Sequence, residues 1–244
     1  MYRGLKVIAM APVLDEERKI AHVVERVPRD VVDEVLVIDD GSSDRSAEVA
    51  RERGAHILDM GATVGVGAAL RAGYDYALAH GYDVAVVMAG NDKDAPEEIP
   101  RLLDPIAEGH ADFVQGSRYL APAGGGAAGF GDMPLYRRIA TRLHPMLFSL
   151  VSGRRVTEST NGFRAVHRRV LEDPGLDLHQ AWLDEYELEP YLYLRAIQLG
   201  HRSVEVAVTK VYPPRELGQT KMQPVRGWWS ILRPLVLVGL RIRR

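Results

Sequence analysis

The chain has 244 residues, 46% of them hydrophobic and 26% charged, which are ordinary globular proportions. They exclude a disordered chain, a collagen and a coiled coil. A formal net charge of −2, from 31 basic and 33 acidic residues, gives no polycationic field for nucleic acid. The absence of cysteine removes disulfides, thiol catalysis and Cys-ligated metal sites, and fits a reducing cytoplasm.

In chain order, Leu5 to Ala11 reads as a buried strand closed by Pro12. Glu16 to Val27 carries Ile20, Val23, Val24 and Val27 at helical spacing. Val35 to Ile38 is a second strand, and Gly41 to Asp44 a turn rich in helix-capping residues before the helical stretch Ser46 to Arg53. A short strand at Ala55 to Leu58, an Ala-rich helix over Gly67 to His80 and a strong strand at Val84 to Met88 follow. Pro96 to Glu108 then reads as a helix and Phe113 to Gly116 as a strand. This alternation predicts an α/β domain with a mostly parallel central sheet and helices on both faces. Ala121 to Gly131 is Gly/Ala-rich and reads as a loop, in the manner of a lid. Further strand signal lies at Ser203 to Val211. We expect one domain over residues 1–226 and an apolar helical tail over 227–244.

Ligands of parallel sheets collect at the carboxyl ends of strands. Two acidic clusters fall there: Asp39-Asp40 after the second strand, and Asn91-Asp92-Lys93-Asp94 after the fourth. The first pair suits hydrogen bonds from a base or ribose, and equally an acidic turn. In the second, close oxygen ligands suit Mg²⁺ or Mn²⁺ on a diphosphate. Lys93, an ammonium in the same cluster, would do part of a cation's work. Gly65-Val66-Gly67 begins like a dinucleotide fingerprint but lacks the third glycine and a later ribose-binding acid. The glycines read instead as a tight entry into a packed helix. Arg118, Arg137, Arg138, Arg164 and Lys221 sit on predicted loops or helix ends, where arginine forks and ammonium groups suit phosphate. The histidines show no metal-like pairing, and no Gly-x-Ser-x-Gly elbow supports a hydrolase.

Taken in order, several segments resemble the family 2 glycosyltransferases of GT-A fold, in the branch of the polyprenyl-phosphate sugar synthases. They are Ala11-Pro12-Val13-Leu14-Asp15-Glu16, Val37-Ile38-Asp39-Asp40-Gly41-Ser42, Gly65-Val66-Gly67, Gly116-Ser117-Arg118, Asn161-Gly162-Phe163-Arg164 and Gly218-Gln219-Thr220-Lys221. The resemblance implies that Pro12, Leu14, Glu16, Asp39 and Asp40 hold the base and ribose of a nucleotide-diphospho-sugar. It sets Arg118 near the diphosphate, Arg137 or Arg138 at an acceptor phosphate and Lys221 over the diphosphate. The chain departs from the family at the Asp-x-Asp metal motif, whose two acids fall on Ala89 and Asn91. Either Asn91, Asp92 and Asp94 hold the metal, or Lys93 partly replaces it.

The reading that follows is an inverting transfer of a sugar to a polyprenyl phosphate at a membrane surface. An ionised phosphate acceptor needs no base, whereas a hydroxyl of a saccharide or small molecule would need Asp184, Glu185 or Glu187. A non-catalytic nucleotide-sugar binder is the third reading. Trp228-Trp229 at one end of the tail and Arg241, Arg243 and Arg244 at the other suit a headgroup region. The segment is too short and broken to span a bilayer. We therefore expect a cytoplasmic chain lying peripherally on the cytoplasmic membrane face. The alternative is a tail packed on the chain's own sheet or, in a homodimer, on a second subunit.

Overall fold

Apolar residues run almost without break along the first two strands because both faces of the sheet are buried there. In the computed structural model, residues 1–120, 135–211, 224–240 and 242 are described, the side chains of 135–138 and 224–226 excepted. Strand β1 (Val7–Val13) sends Ile8 and Met10 into one core, and Val7, Ala9, Ala11 and Val13 into the other. Strand β2 (Glu34–Asp39) does the same with Leu36 and Ile38 against Val35 and Val37. Each of the valine, leucine, isoleucine and methionine side chains among them contributes about 1.5–3 kcal/mol on burial.

The remaining strands are β3 (His56–Asp59), β4 (Val84–Val87), β5 (Phe113–Ser117), β6 (Arg164–His167) and β7 (Ser203–Ala207). Their order across the sheet is β3-β2-β1-β4-β6-β5-β7. Only β6 runs antiparallel to its neighbours, β4 and β5. Helices α1 (Glu17–Glu25), α2 (Ser46–Glu52) and α4 (Ile99–Ala107) cover one face. Helices α3 (Val66–Ala79), α5 (Leu135–Ser152), α7 (Leu188–Gln198) and α8 (Pro224–Gly239) cover the other, and α6 (Arg168–Leu171) is a single turn after β6.

The expected mostly parallel sheet with helices on both faces is therefore present. Its first strand is displaced, running through Pro12 rather than ending before it. Met10 C=O faces β4 and accepts from Met88 N–H, so Pro12, two residues on, faces the same way. Pairing with β4 ends at Met10, so the missing donor of Pro12 breaks no ladder bond. Strand β7 is shorter than the expected Ser203 to Val211 and passes into an isolated bridge between Lys210 and Asp94. The segments α5, β6 and α7 complete the second half. Residue 227, the expected domain boundary, lies inside α8, which packs on α5 and α7 and buries Ser230, Leu235 and Val238. Ala121 to Gly131 lies outside the described residues.

Candidate active site

The carboxyl ends of β1, β2 and β4 open onto one cleft of about 790 Å³. Its lining begins with Pro12, near the end of β1, and with Leu14 and Glu16, which follow it. Asp40, at the end of β2, lines the cleft and ties its neighbouring loop. Its carboxylate accepts from the backbone N–H groups of Val64 (2.7 Å) and Gly65 (3.2 Å). Burial raises the Asp40 pKa, and the nearby Asp39 adds to the rise. Asp39 itself does not line the cleft: its Oδ1 accepts from Ser42 N–H at 2.9 Å and closes the turn.

The Gly65-Val66-Gly67 entry serves packing. A Cβ on Gly67 would lie 2.0 Å from Leu183 C=O, and one on Gly65 2.4 Å from Asp184 C=O. The bare backbone lets the start of α3 abut residues 183–185, and Ala68 N–H donates to Asp184 C=O at 3.0 Å. This contact positions the opposite wall, which includes Asp184, Glu185 and Glu187. Asp184 is paired with Arg71 at 2.7 Å. Glu187 is buried, its Oε2 has no hydrogen-bond partner among the described residues, and Arg233 lies 3.5 Å from its Oε1.

The cationic residues differ in how they are held. Arg118, at the end of β5, lines the cleft with its Nε donating to Glu158 at 2.5 Å and a terminal nitrogen to Thr160 at 3.2 Å. Glu158 is fully buried and also accepts from Thr160 N–H, so the arginine is fixed in place. Arg164 is 1% exposed, and its guanidinium is spent on the carbonyls of Asn161, Gly162 and Glu189 and on the Glu189 carboxylate. It knits the cleft floor and has no donor turned to a phosphate in these contacts. Lys93 is buried on the cleft wall. Lys210, which no sequence pattern marks, lines the same wall and bonds Asp94 (2.6 Å) and Asn161 (2.8 Å). The side chains of Arg137 and Arg138, and Lys221, lie outside the described residues.

The expected metal set does not converge. Asp92 has φ 60° and is turned from the cleft to Arg26 and His22, each at 2.9 Å. Asp94 is buried behind the wall, accepting from Ala89 N–H at 2.7 Å and from Lys210. Both acids are held by neighbours that neutralise or hydrogen-bond them, so this structure does not bring the expected Asn91, Asp92 and Asp94 set together. Of the three, only Asn91 lines the cleft, with a buried Oδ1 that lacks a partner among the described residues. Among the described residues no cluster of three or more His, Asp or Glu side chains is arranged to hold a metal.

A mostly parallel sheet with one reversed strand and a polar cleft at the carboxyl ends of its strands is the architecture of GT-A glycosyltransferases. Residues 10–174 match Glycosyl transferase family 2. The chain belongs to this family and is a glycosyltransferase. It is 33% identical over 224 residues to polyprenol monophosphomannose synthase of Mycolicibacterium smegmatis, covering 89% of this chain and 81% of that protein. It is 32% identical to undecaprenyl-phosphate mannosyltransferase of Micrococcus luteus, covering 89% and 88% respectively. Among solved structures, glucosyl-3-phosphoglycerate synthase from Mycobacterium tuberculosis in complex with Mg²⁺ and uridine diphosphate superposes with a TM-score of 0.71. The two are 19% identical, with 99% of this chain and 81% of that one covered. A complex of the same synthase with Mn²⁺, uridine diphosphate and phosphoglyceric acid gives a TM-score of 0.66 at 21% identity, covering 95% and 79%.

Proposed function

We propose that the chain transfers a sugar from a nucleotide-diphospho-sugar to a polyprenyl phosphate, with inversion at the anomeric carbon. The names of its relatives support this acceptor. The observation that carries the reading is the cleft itself, whose lining combines the β1 and β2 ends with the cationic residues Lys93, Arg118 and Lys210. Pro12, Leu14 and Asp40 would hold the nucleoside, and these cationic residues the diphosphate. The acceptor phosphate oxygen attacks the anomeric carbon, that carbon's bond to the diphosphate breaks on the opposite face, and the electron pair leaves with the diphosphate. An ionised phosphate brings no proton to remove, so catalysis consists of in-line positioning and charge balance. The unpartnered Glu187 Oε2 is an acceptor for a sugar hydroxyl. The same atom favours a second reading, in which Glu187 is the base for a hydroxyl acceptor.

A membrane surface as the second partner is supported by α5 and α8. Ile139, Leu143, Met146 and Leu150 are exposed at spacings of four, three and four residues, which is one face of α5. Trp229 and Val236 are exposed on α8 and Leu240 just after it, and α8 packs beside α5 with Gly239 against Val151. Residues 135–155 and 224–244 contain arginines and no Asp or Glu, a charge bias complementary to anionic lipid. Among the described residues no helix is long and apolar enough to cross a membrane. The reading is thus of peripheral attachment at the cytoplasmic membrane face, with the cleft mouth at Trp228 and Trp229 near the lipid phosphate. A thermal-shift screen of uridine and guanosine diphospho-sugars tests the donor half. At least one should raise the melting temperature with ligand concentration, and no shift with any of them would overturn it.

A further inference from the structure

We propose that the ammonium of Lys93 takes the place of a divalent cation in balancing the leaving diphosphate, so that donor binding by this chain requires no metal. The inference rests on the donor reading above. The end of β4 is where the two acids expected to bind metal would have to reach the cleft, and neither does. Asp92 is held outside by Arg26 and His22, and Arg26 is itself anchored through two bonds to Glu97, at 2.6 and 2.7 Å. Freeing Asp92 would break that exposed network and turn over a backbone already at positive φ. Asp94 is committed to Lys210, and drawing it into the cleft would leave a buried ammonium without its counter-charge and the Ala89 N–H without its acceptor.

What the β4 end does present to the cleft is one amide oxygen, that of Asn91, and the Lys93 side chain. Mg²⁺ and Mn²⁺ require several oxygens around them, usually one or two carboxylates besides phosphate and water. A single neutral oxygen does not meet that need, and a divalent ion seated there would be repelled by Lys93. The residues present therefore do not fit the cation that accompanies uridine diphosphate in the glucosyl-3-phosphoglycerate synthase structures. They do fit the diphosphate directly. Lys93 is buried, Arg118 is held by Glu158, and both residues line the same cleft. In the transfer the carbon–oxygen bond to the diphosphate breaks as that to the acceptor forms. The negative charge that develops on the departing oxygen is met by the Lys93 ammonium in place of a metal ion. The Asn91 oxygen is left to accept from a donor hydroxyl.

Calorimetric titration of the full chain with uridine diphosphate and with guanosine diphosphate, in EDTA and in Mg²⁺ or Mn²⁺, tests this without reliance on turnover. The dissociation constant of the nucleotide that binds should change by less than about threefold between EDTA and metal. Lys93→Gln should weaken it by about 10-fold to 100-fold in both conditions, the loss of a charged hydrogen bond, with Lys93→Arg recovering part of it. A tenfold or larger loss in EDTA that Mn²⁺ restores would overturn the proposal, as would wild-type affinity in Lys93→Gln. If that variant fails to fold, as judged by its melting curve, the EDTA comparison on the wild-type chain decides alone. Failure of both nucleotides under every condition would instead refute the donor reading, and this inference with it.

Discussion

The ammonium of Lys210 lies 2.6 Å from Asp94 Oδ1 and joins the loop after β4 to the segment after β7. Both groups are nearly excluded from water, with side-chain exposures of 10% and 1%. Removing one partner of such a pair leaves a buried charge unmatched. Lys210→Met should therefore destabilise the fold by about 3–5 kcal/mol, measured by urea unfolding. Adding Asp94→Asn should return part of that loss, since the uncompensated charge goes with it. A Lys210→Met variant as stable as the wild type would show that the pair does not hold the loop.

Gly67→Ala probes the contact that sets the wall at 183–187. The added Cβ meets a backbone carbonyl, which cannot rotate aside as a side chain does. Overpacking of this kind costs about 1–3 kcal/mol. The variant should lose stability in that range and also lose affinity for the donor nucleotide. Unchanged affinity in a folded Gly67→Ala protein would detach this wall from the binding site.

His144 ties α5 to the segment before β6 and to α8. Its Nε2 faces the Ile231 carbonyl at 3.2 Å, which can only accept, so that nitrogen carries the proton. Nδ1 then accepts from Ser159 Oγ–H at 2.7 Å. Burial lowers the His144 pKa below that of an unfolded histidine. The unfolded state thus binds the proton more readily, and the neutral form's stability is fully present above about pH 6.5. It is lost progressively as pH falls from there toward the folded pKa. His167 is shifted the same way, chiefly by burial, and adds to the trend. The melting temperature should fall between pH 7 and pH 5, and His144→Gln should flatten part of that slope. An identical slope in the variant would remove His144 from the account.

The exposed stripe of α5 should matter to lipid and not to folding. Leu143→Glu with Leu150→Glu should leave the melting temperature within a few degrees and reduce co-sedimentation with phosphatidylglycerol vesicles by about tenfold. Wild-type binding to vesicles that is unaffected by these changes would contradict the surface we assign. A wild-type chain that ignores vesicles and elutes as a dimer, becoming monomeric in the double variant, would give the stripe to a second copy instead.

The first half of the chain was legible because β1, β2 and β4 are buried on both sides and helices such as α1 and α4 show one clean apolar face. α1 and α4 are read directly from Val23, Val24, Leu102 and Leu103. α5 hides its period because it is apolar twice over. Phe148 enters the core while Leu143 and Leu150 remain outside, and Pro145 sits within the helix. β6 is only four residues long and begins with a fully buried arginine, an unlikely strand signal in any pattern of hydrophobicity. The cleft was legible in the strand-end positions of Pro12, Asp40, Lys93 and Arg118. Local spacing does not show that Asp92 faces Arg26 or that Asp94 meets Lys210, partners 66 and 116 residues away. For that reason the acids of Asn91-Asp92-Lys93-Asp94 read as one ligand set, when the fold sends them in different directions.

The central claim is the transfer itself. Mass spectrometry of the lipid extract, after the purified chain is incubated with a panel of nucleotide-diphospho-sugars and vesicles containing a polyprenyl phosphate, tests it most directly. The account predicts one new lipid whose mass equals the polyprenyl phosphate plus one sugar less water, with the anomeric configuration inverted relative to the donor. An unchanged lipid pool, with the sugar appearing instead on a soluble saccharide or small-molecule hydroxyl, would contradict it.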